Sequence, residues 1–304
     1  MRKFSYKMIK VNGLKACFLA ARPKTLTGAC APVLIGGGLA MFFLRSHPGM
    51  VSTLPCPWIP FLIALLFAMV MQIEANFVND YFDFKKGSDR DDRLGPERAC
   101  QQGWITPRAM HRAIILMSVV AVAVGAPLIC FGGWEMLLVG LACILFCWLY
   151  TTHLSYIGLG DLLVIVFFGL VPVAFTFYVM TRQLTPEAWT YGLAMGLATD
   201  CLLIVNNYRD IEQDRKSGKR TLIVMVGPRA GLQLYLWCGI LAATIAAVNL
   251  LVASWVLIPY LILHILTFRS MTRKIGRELN QVLGATARNI FIFGLSIATY
   301  LFFA

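Results

Sequence analysis

The chain has 304 residues, of which 59% are hydrophobic and only 14% charged, with a mean hydropathy of +0.72. These values exclude a soluble domain, whose surface would need far more polar side chains. The net charge of +12 reads in such a chain as a loop bias plus attraction to anionic lipid, and not as a nucleic-acid surface. The nine cysteines include no Cys-x-x-Cys pair, so they read as core residues and not as a metal or disulfide framework.

Apolar stretches of about 20 residues recur along the chain, each long enough to cross a hydrocarbon core of roughly 30 Å. Lipid offers no water to an open backbone, so these stretches are helices. The expected fold is all-α and polytopic, a single domain over 1–304 with a central cavity open to the cytoplasm. Nine spans are expected, near 26–44, 58–78, 113–131, 134–152, 161–180, 188–207, 231–249, 252–268 and 289–303.

Ahead of the first span stands Ala-Arg22-Pro-Lys24-Thr-Leu. Pro23 suits a helix start, and Arg22 and Lys24 either anchor the helix at headgroups or meet a substrate anion. Gly36, Gly37 and Gly38 permit close helix approach. The second span ends in a polar motif. At 100° per residue Gln72, Asn76, Asn79 and Asp83 fall within about 60° of each other and form one stripe. Glu74 lies roughly opposite them, placed to pair with another helix. Asp89 follows beyond Gly87, where the chain can turn back. Oxygen donors at the mouth of an apolar helix suit Mg²⁺, which often shares such ligands with phosphate.

More than 20 residues then lead through Gly95-Pro96 to Thr106-Pro107, a length typical of a lid or binding loop. Within it Asp91, Asp92 and Arg93 read as solvated charges. The third and fourth spans meet at a Gly132-Gly133 hairpin. The fourth ends in Tyr150-Thr-Thr-His153, followed by Tyr156-Ile-Gly-Leu-Gly-Asp161. Asp161 needs no role beyond that of a helix N-terminal acid, although it lies on the motif side. His153 has no partner at metal-ligand spacing. In the sixth span Asp200 either lines the cavity or is neutral and hydrogen-bonded, because an unpaired carboxylate in a membrane is expensive. Gly192 and Gly196 signal packing. That span ends in a second polar motif, Asn206-Asn207-Tyr-Arg-Asp210-Ile-Glu-Gln-Asp214, which echoes the first without a clear repeat.

The basic residues set the orientation. The amino-terminal segment carries seven Lys/Arg, 80–112 seven, 208–230 six and 269–288 five, whereas the intervening loops hold only Arg45 and Arg182. The amino terminus and both aspartate-rich loops are therefore expected in the cytoplasm, and the protein in a cytoplasmic membrane. Two acidic helix mouths flanked by Lys85, Lys86, Arg209, Arg215, Lys219 and Arg220 describe a site for a metal-bridged diphosphate. No catalytic triad, Walker loop or dinucleotide fingerprint is present. An allylic diphosphate fits, because its cation is resonance-stabilised and its tail dissolves in the bilayer. A phosphatidyl transferase would need an Asp-Gly-x-x-Ala-Arg signature, which is absent. A cation transporter would place its acids near the midplane, whereas these cluster at one face.

The pattern Asn79-Asp80-x-x-Asp83 with Lys86-Gly87-x-Asp89, and Asn207-x-x-Asp210-x-x-x-Asp214, resembles the two aspartate-rich motifs of the UbiA-type intramembrane prenyltransferases. Ala-Arg22-Pro-Lys-Thr-Leu, Arg93-x-Gly-Pro, Tyr156-Ile-Gly-Leu-Gly-Asp161 and the Gly-Lys219-x-Thr-Leu end of the second motif are similar to the branch that prenylates 1,4-dihydroxy-2-naphthoate. Thr152-His153 replaces the Lys-Arg pair usual in the 4-hydroxybenzoate branch. The first motif departs from the family at position 87, Gly where an acid is common, so Asp89 would have to serve from beyond the turn.

This resemblance implies Mg²⁺-dependent transfer from a polyprenyl diphosphate to the naphthoate, with loss of carbon dioxide and formation of demethylmenaquinol. It implies metal ligation by Asp83, Asp89, Asp210 and Asp214, with Asn79 assisting catalysis. Lys86, Lys219, Asn207 and Arg215 would bind diphosphate; Arg22, Lys24 and Gln72 are the candidates for the aromatic acid.

Overall fold

The computed structural model describes residues 9–48, 56–87 and 93–304. The described residues are all-helical, and eight helical segments among them are long and apolar enough to cross a membrane. A short α1 (Leu14–Ala21) precedes α2 (Leu26–Ser46). Arg22 between them adopts a left-handed conformation, and Pro23–Thr25 form one 3₁₀ turn. Pro23 thus begins a turn and not the spanning helix itself. The break is pinned from outside: Asn76 Nδ2 donates to the Ala21 carbonyl and to Thr25 Oγ1, each at 2.9 Å.

Helix α3 (Trp58–Lys85) runs seven residues past the expected end of the second span, so Asn79 and Asp83 lie on the helix and not in a loop. Helix α4 (Pro107–Gly125) starts under a Thr106 cap, whose Oγ1 accepts from Ala109 N. Pro127 interrupts it before the short α5 (Leu128–Gly132), and α6 (Glu135–Thr152) returns. Helix α7 (Gly160–Ile165) continues through a π-helical turn, Val166–Leu170, into α8 (Val171–Thr181). Pro172 supplies no amide to the turn before it, which accommodates the widening.

Helix α9 (Pro186–Arg209) is the most buried span, with 72% of its apolar window inside the protein. It is followed by α10 (Ile211–Lys216), α11 (Leu222–Val226) and α12 (Pro228–Leu250). At Leu251 (φ 50°) the chain reverses through a 3₁₀ segment into α13 (Ile258–Met271). Tyr260 Oη donates to the Gly239 carbonyl and His264 lies against the Leu236 carbonyl, so α12 and α13 run antiparallel. The 44-residue segment Pro228–Met271 therefore contains two of the expected spans. Helix α14 (Leu279–Phe303) ends the fold.

Small residues set the packing, as expected where lipid is as apolar as the helices and only close approach gains contact. A Cβ at Gly36 would sit 2.6 Å from the Val173 carbonyl, and one at Gly38 would sit 3.0 Å from that of Ala298, so α2 is clasped by α8 and α14. Gly169 in the π turn lies directly on Gly192 and Gly196, the small pair of α9.

Glu74 is fully buried and accepts from Ser118 Oγ at 2.6 Å and Trp148 Nε1 at 3.1 Å. It thereby ties α3 to α4 and α6. Glu74→Ala should lower stability by about 1–3 kcal/mol, because the indole N–H is left without an acceptor, whereas Glu74→Gln keeps one. Thermal melting in detergent should rank the proteins wild type, Gln, Ala; an Ala variant as stable as wild type would contradict this account.

Candidate functional site

The two polar motifs meet at one cavity. It has a volume of about 780 Å³ and is lined by Asn79 and Asp83 of α3, Asn206, Asn207 and Asp210 at the end of α9, Asp214 of α10, and Lys219. Arg22, Lys24 and Gln72 line the same cavity. All three aromatic-acid candidates therefore share the space of the acids. Deeper in, the wall is apolar, with Phe67, Ile144, Phe168 and Phe175 among its residues. Leu137, Leu141 and Val122 both line the cavity and are 45%, 49% and 46% exposed. Exposed apolar residues of α4 and α6 thus border the cavity.

Each acid is held differently. Asp83 accepts from Arg98 Nη2 at 3.1 Å. Asp210 is gripped at both oxygens by Arg209, at 2.8 and 2.6 Å, and Arg209 in turn donates to Asn280 Oδ1 at 2.7 Å. Asp214 is 8% exposed, and its Oδ2 is buried with no hydrogen-bond partner among the described residues. Burial pushes the Asp214 carboxyl up to about 6; Lys219 opposes this, while Asp210 and Asp83 add to it and Arg209 opposes it in turn. Asn79 is fixed by a short hydrogen bond from Thr151 Oγ1.

Arg98 carried no signal in the sequence, being one cation in a long loop. Asp80 places it: its two oxygens accept from Ala99 N at 2.8 Å and Cys100 N at 2.9 Å, which fixes the turn after Arg98 against α3. Asp80 thus has a structural task that leaves the neighbouring acid to the cavity. The described part of the loop, from residue 93, packs onto α9 and α14 beside the cavity. Asn280 Nδ2 donates to the Leu94 carbonyl at 2.8 Å, and Gly95 lies so close to Arg209 that a Cβ would meet Nη2 at 2.8 Å. Arg93, Pro96 and Arg98 from this loop all line the cavity.

Two expected diphosphate ligands are not brought to the wall. Lys86 Nζ instead donates to the carbonyls of Thr151 and Thr152 at the end of α6 and lies 3.7 Å from the Tyr156 ring centroid. Burial lowers its pKa, Asp83 opposes that, and Lys219 adds to it. Arg215 points outward to Glu212 at 2.8 Å, an exposed pair one helical turn apart. Asp89, with Asp91 and Asp92, lies outside the described residues. Asp200 is 3% exposed and does not line the cavity.

The donor set suits a hard divalent cation: it consists of oxygens, and one of them is buried and unpartnered. Among the described residues, no three His, Cys, Asp or Glu side chains come together in a group that could by itself hold a metal ion. A cation shared with phosphate oxygens takes only one or two carboxylates and needs no such group.

The model of the UbiA prenyltransferase family matches residues 32–299. The chain belongs to the UbiA family. A relative from Escherichia coli strain K12, named 1,4-dihydroxy-2-naphthoate octaprenyltransferase, is 36% identical over 227 residues, 72% of this chain and 70% of its own. One of the same name from Mycobacterium tuberculosis is 33% identical over 290 residues, 93% and 95% of the two chains. The solved structure of a UbiA homologue from Archaeoglobus fulgidus bound to DMAPP and Mg²⁺ superposes with a TM-score of 0.59 at 16% identity, covering 93% of this chain and 99% of that one. That likeness shows the fold.

Asp80→Ala should release the turn at 98–105, withdraw Arg98 from Asp83 and leave two backbone amides without an acceptor, at about 1–3 kcal/mol each. Trypsin should then cut at Arg98, where the wild type resists. An equally resistant variant would show that Asp80 does not hold the turn.

Proposed function

We propose that this UbiA-family protein transfers a polyprenyl group from its diphosphate to 1,4-dihydroxy-2-naphthoate with loss of carbon dioxide, giving demethylmenaquinol, the whole chain acting as one domain. The observation that carries this reading is the convergence of both aspartate motifs and Lys219 on one cavity whose wall is otherwise largely apolar. The shared name of the relatives at 33–36% identity supports the choice of acceptor. The Mg²⁺ and DMAPP of the Archaeoglobus homologue support the metal and the diphosphate.

Asp83, Asp210 and Asp214 would hold Mg²⁺. Bound there, the metal supplies positive charge to the departing diphosphate. Lys219 takes up further phosphate charge, and Asn79 and Asn207 donate their amide N–H groups to phosphate oxygens. The allylic carbon then faces the apolar chamber, which keeps water from the cation. The tail lies along the apolar part of the wall, beside Phe67, Ile144, Phe168 and Phe175. Arg22 and Lys24 orient the carboxylate of the aromatic acid, with Gln72 beside them. Attack at the carboxylated carbon forms the new C–C bond; the C–CO₂ bond then breaks and its electron pair restores the aromatic ring. No ring proton has to be removed, so no general base for that step is needed.

The bias of basic residues supports a nine-pass chain in a bacterial cytoplasmic membrane with both motifs and the amino terminus on the cytoplasmic side. A single cysteine at Ser217, in a background cleared of native thiols, should resist an impermeant reagent added to intact cells.

Asp214→Asn should leave expression and melting near wild type and reduce turnover by at least a hundredfold, because the buried acceptor becomes a neutral amide. Carboxyl-labelled naphthoate, a polyprenyl diphosphate and Mg²⁺ should release one labelled carbon dioxide per prenylated product in the wild type. Label retained in the product, or turnover of 4-hydroxybenzoate alone, would overturn the assignment of acceptor and chemistry.

A further inference from the structure

The connector between α6 and α7 touches both aspartate motifs. From the first motif, Lys86 Nζ sits 3.7 Å from the centroid of the Tyr156 ring while donating to the Thr151 and Thr152 carbonyls. From the second, Lys219 Nζ lies 5.8 Å from the same centroid, and Arg220 N donates to the Tyr156 carbonyl at 3.0 Å. Two residues on, Gly158 (φ 86°) packs so closely under the second motif that a Cβ would meet the Arg220 carbonyl at 3.1 Å and Met225 Cε at 2.5 Å. The connector is thus fitted to the second motif by its backbone and to both motifs by one aromatic ring.

We propose that Tyr156 is a positioning residue that sets the gap between the two aspartate motifs and the reach of Lys219. The inference rests on the reading that the motifs share a diphosphate. A ring within reach of two ammonium groups attracts both through its quadrupole. Two like charges at one mouth would otherwise repel, and Lys86 would be drawn toward Asp83. With Tyr156 in place, Lys86 is held back against the α6 carbonyls. Lys219, one residue before the amide that bonds the Tyr156 carbonyl, is kept at the cavity wall. The ring face carries this arrangement.

The test pairs Tyr156→Phe, which keeps the ring face, with Tyr156→Leu, which removes it. The Phe variant should stay within twofold of wild type in every constant. The Leu variant should raise KM for the polyprenyl diphosphate about tenfold, the scale of one to two cation–π contacts. Its KM for the aromatic acceptor should stay within twofold. Spin labels at Lys85 and Lys216, both exposed, should give one narrow distance distribution in wild type and Phe, and a broad one in Leu. An unchanged KM and distribution in Leu, or a Phe variant as impaired as Leu, would overturn the proposal. The distance measurement needs no turnover, so a wild type inactive on naphthoate would refute the assigned reaction while the clamp is still judged on its own.

Discussion

The rest of the molecule depends on keeping three carboxylates together at the rim of a hydrocarbon-lined chamber. Burial, with smaller contributions from Asp210 and Asp83, raises the Asp214 carboxyl there to about 6. Like charges in a poorly solvated place repel strongly and lose hydration as well. Two of the three are relieved by guanidinium groups: Arg98 reaches across from a loop, and Arg209 comes from the adjacent position in the chain. The third keeps an unpartnered oxygen. A site poised in this way gains when a divalent cation and a phosphate arrive together, because the cation brings the missing charge and the phosphate takes up the surplus. Preorganised charge of this kind is not reorganised during reaction and so lowers a barrier directly.

The helices alone would not hold that arrangement. Side chains in the apolar region have no hydrophobic drive toward each other, and the helices are joined by close contacts of small residues such as Gly36 on α8 and Gly169 on α9. Those contacts fix the frame but leave the ends of α3 and α9 free to splay. Polar ties at the ends resist this. Asp80 fastens the turn beyond Arg98, Asn76 fastens the break before α2, and Asn280 joins the loop at Leu94 to Arg209. Each tie lies near the ends of the spans, where an amide or carboxylate can be satisfied at modest desolvation cost.

How much of this could be read from the chain depended on whether a residue's task was set by its own helix. The stripe from Gln72 to Asp83 was legible because a 100° repeat puts its members together wherever the helix goes. The second motif announced itself in the same way. The stripe did not separate tasks, however: all four residues line the cavity, but the Asn76 amide also holds the Ala21 carbonyl and Thr25, and only the position of α1 decides that. Arg98 was illegible, since its meaning lies in a turn built on Asp80. Lys86 and Arg215 misled for the opposite reason. A cation next to an acidic motif invites a phosphate role, yet one is taken by the carbonyls of α6 and the other by Glu212 one turn away. Glu74 showed that it needed a partner, whereas Ser118 and Trp148 could be named only once three helices were packed.

The reversal at Leu251 shows how span counting depends on backbone as well as composition. Pro228–Met271 is a single apolar helical segment by hydropathy, and its 44 residues would reach about twice the hydrocarbon thickness at 1.5 Å per residue. A straight helix of that length would project its second half into water with its apolar side chains exposed. Doubling back at a positive φ removes that conflict, and the two arms then satisfy each other: buried His264 lies against the Leu236 carbonyl between the rings of Tyr235 and Tyr260. These polar groups of the hairpin are thus matched internally, and no residue of α12 or α13 lines the cavity. Carboxylates and cations gather instead where α3 and α9 end.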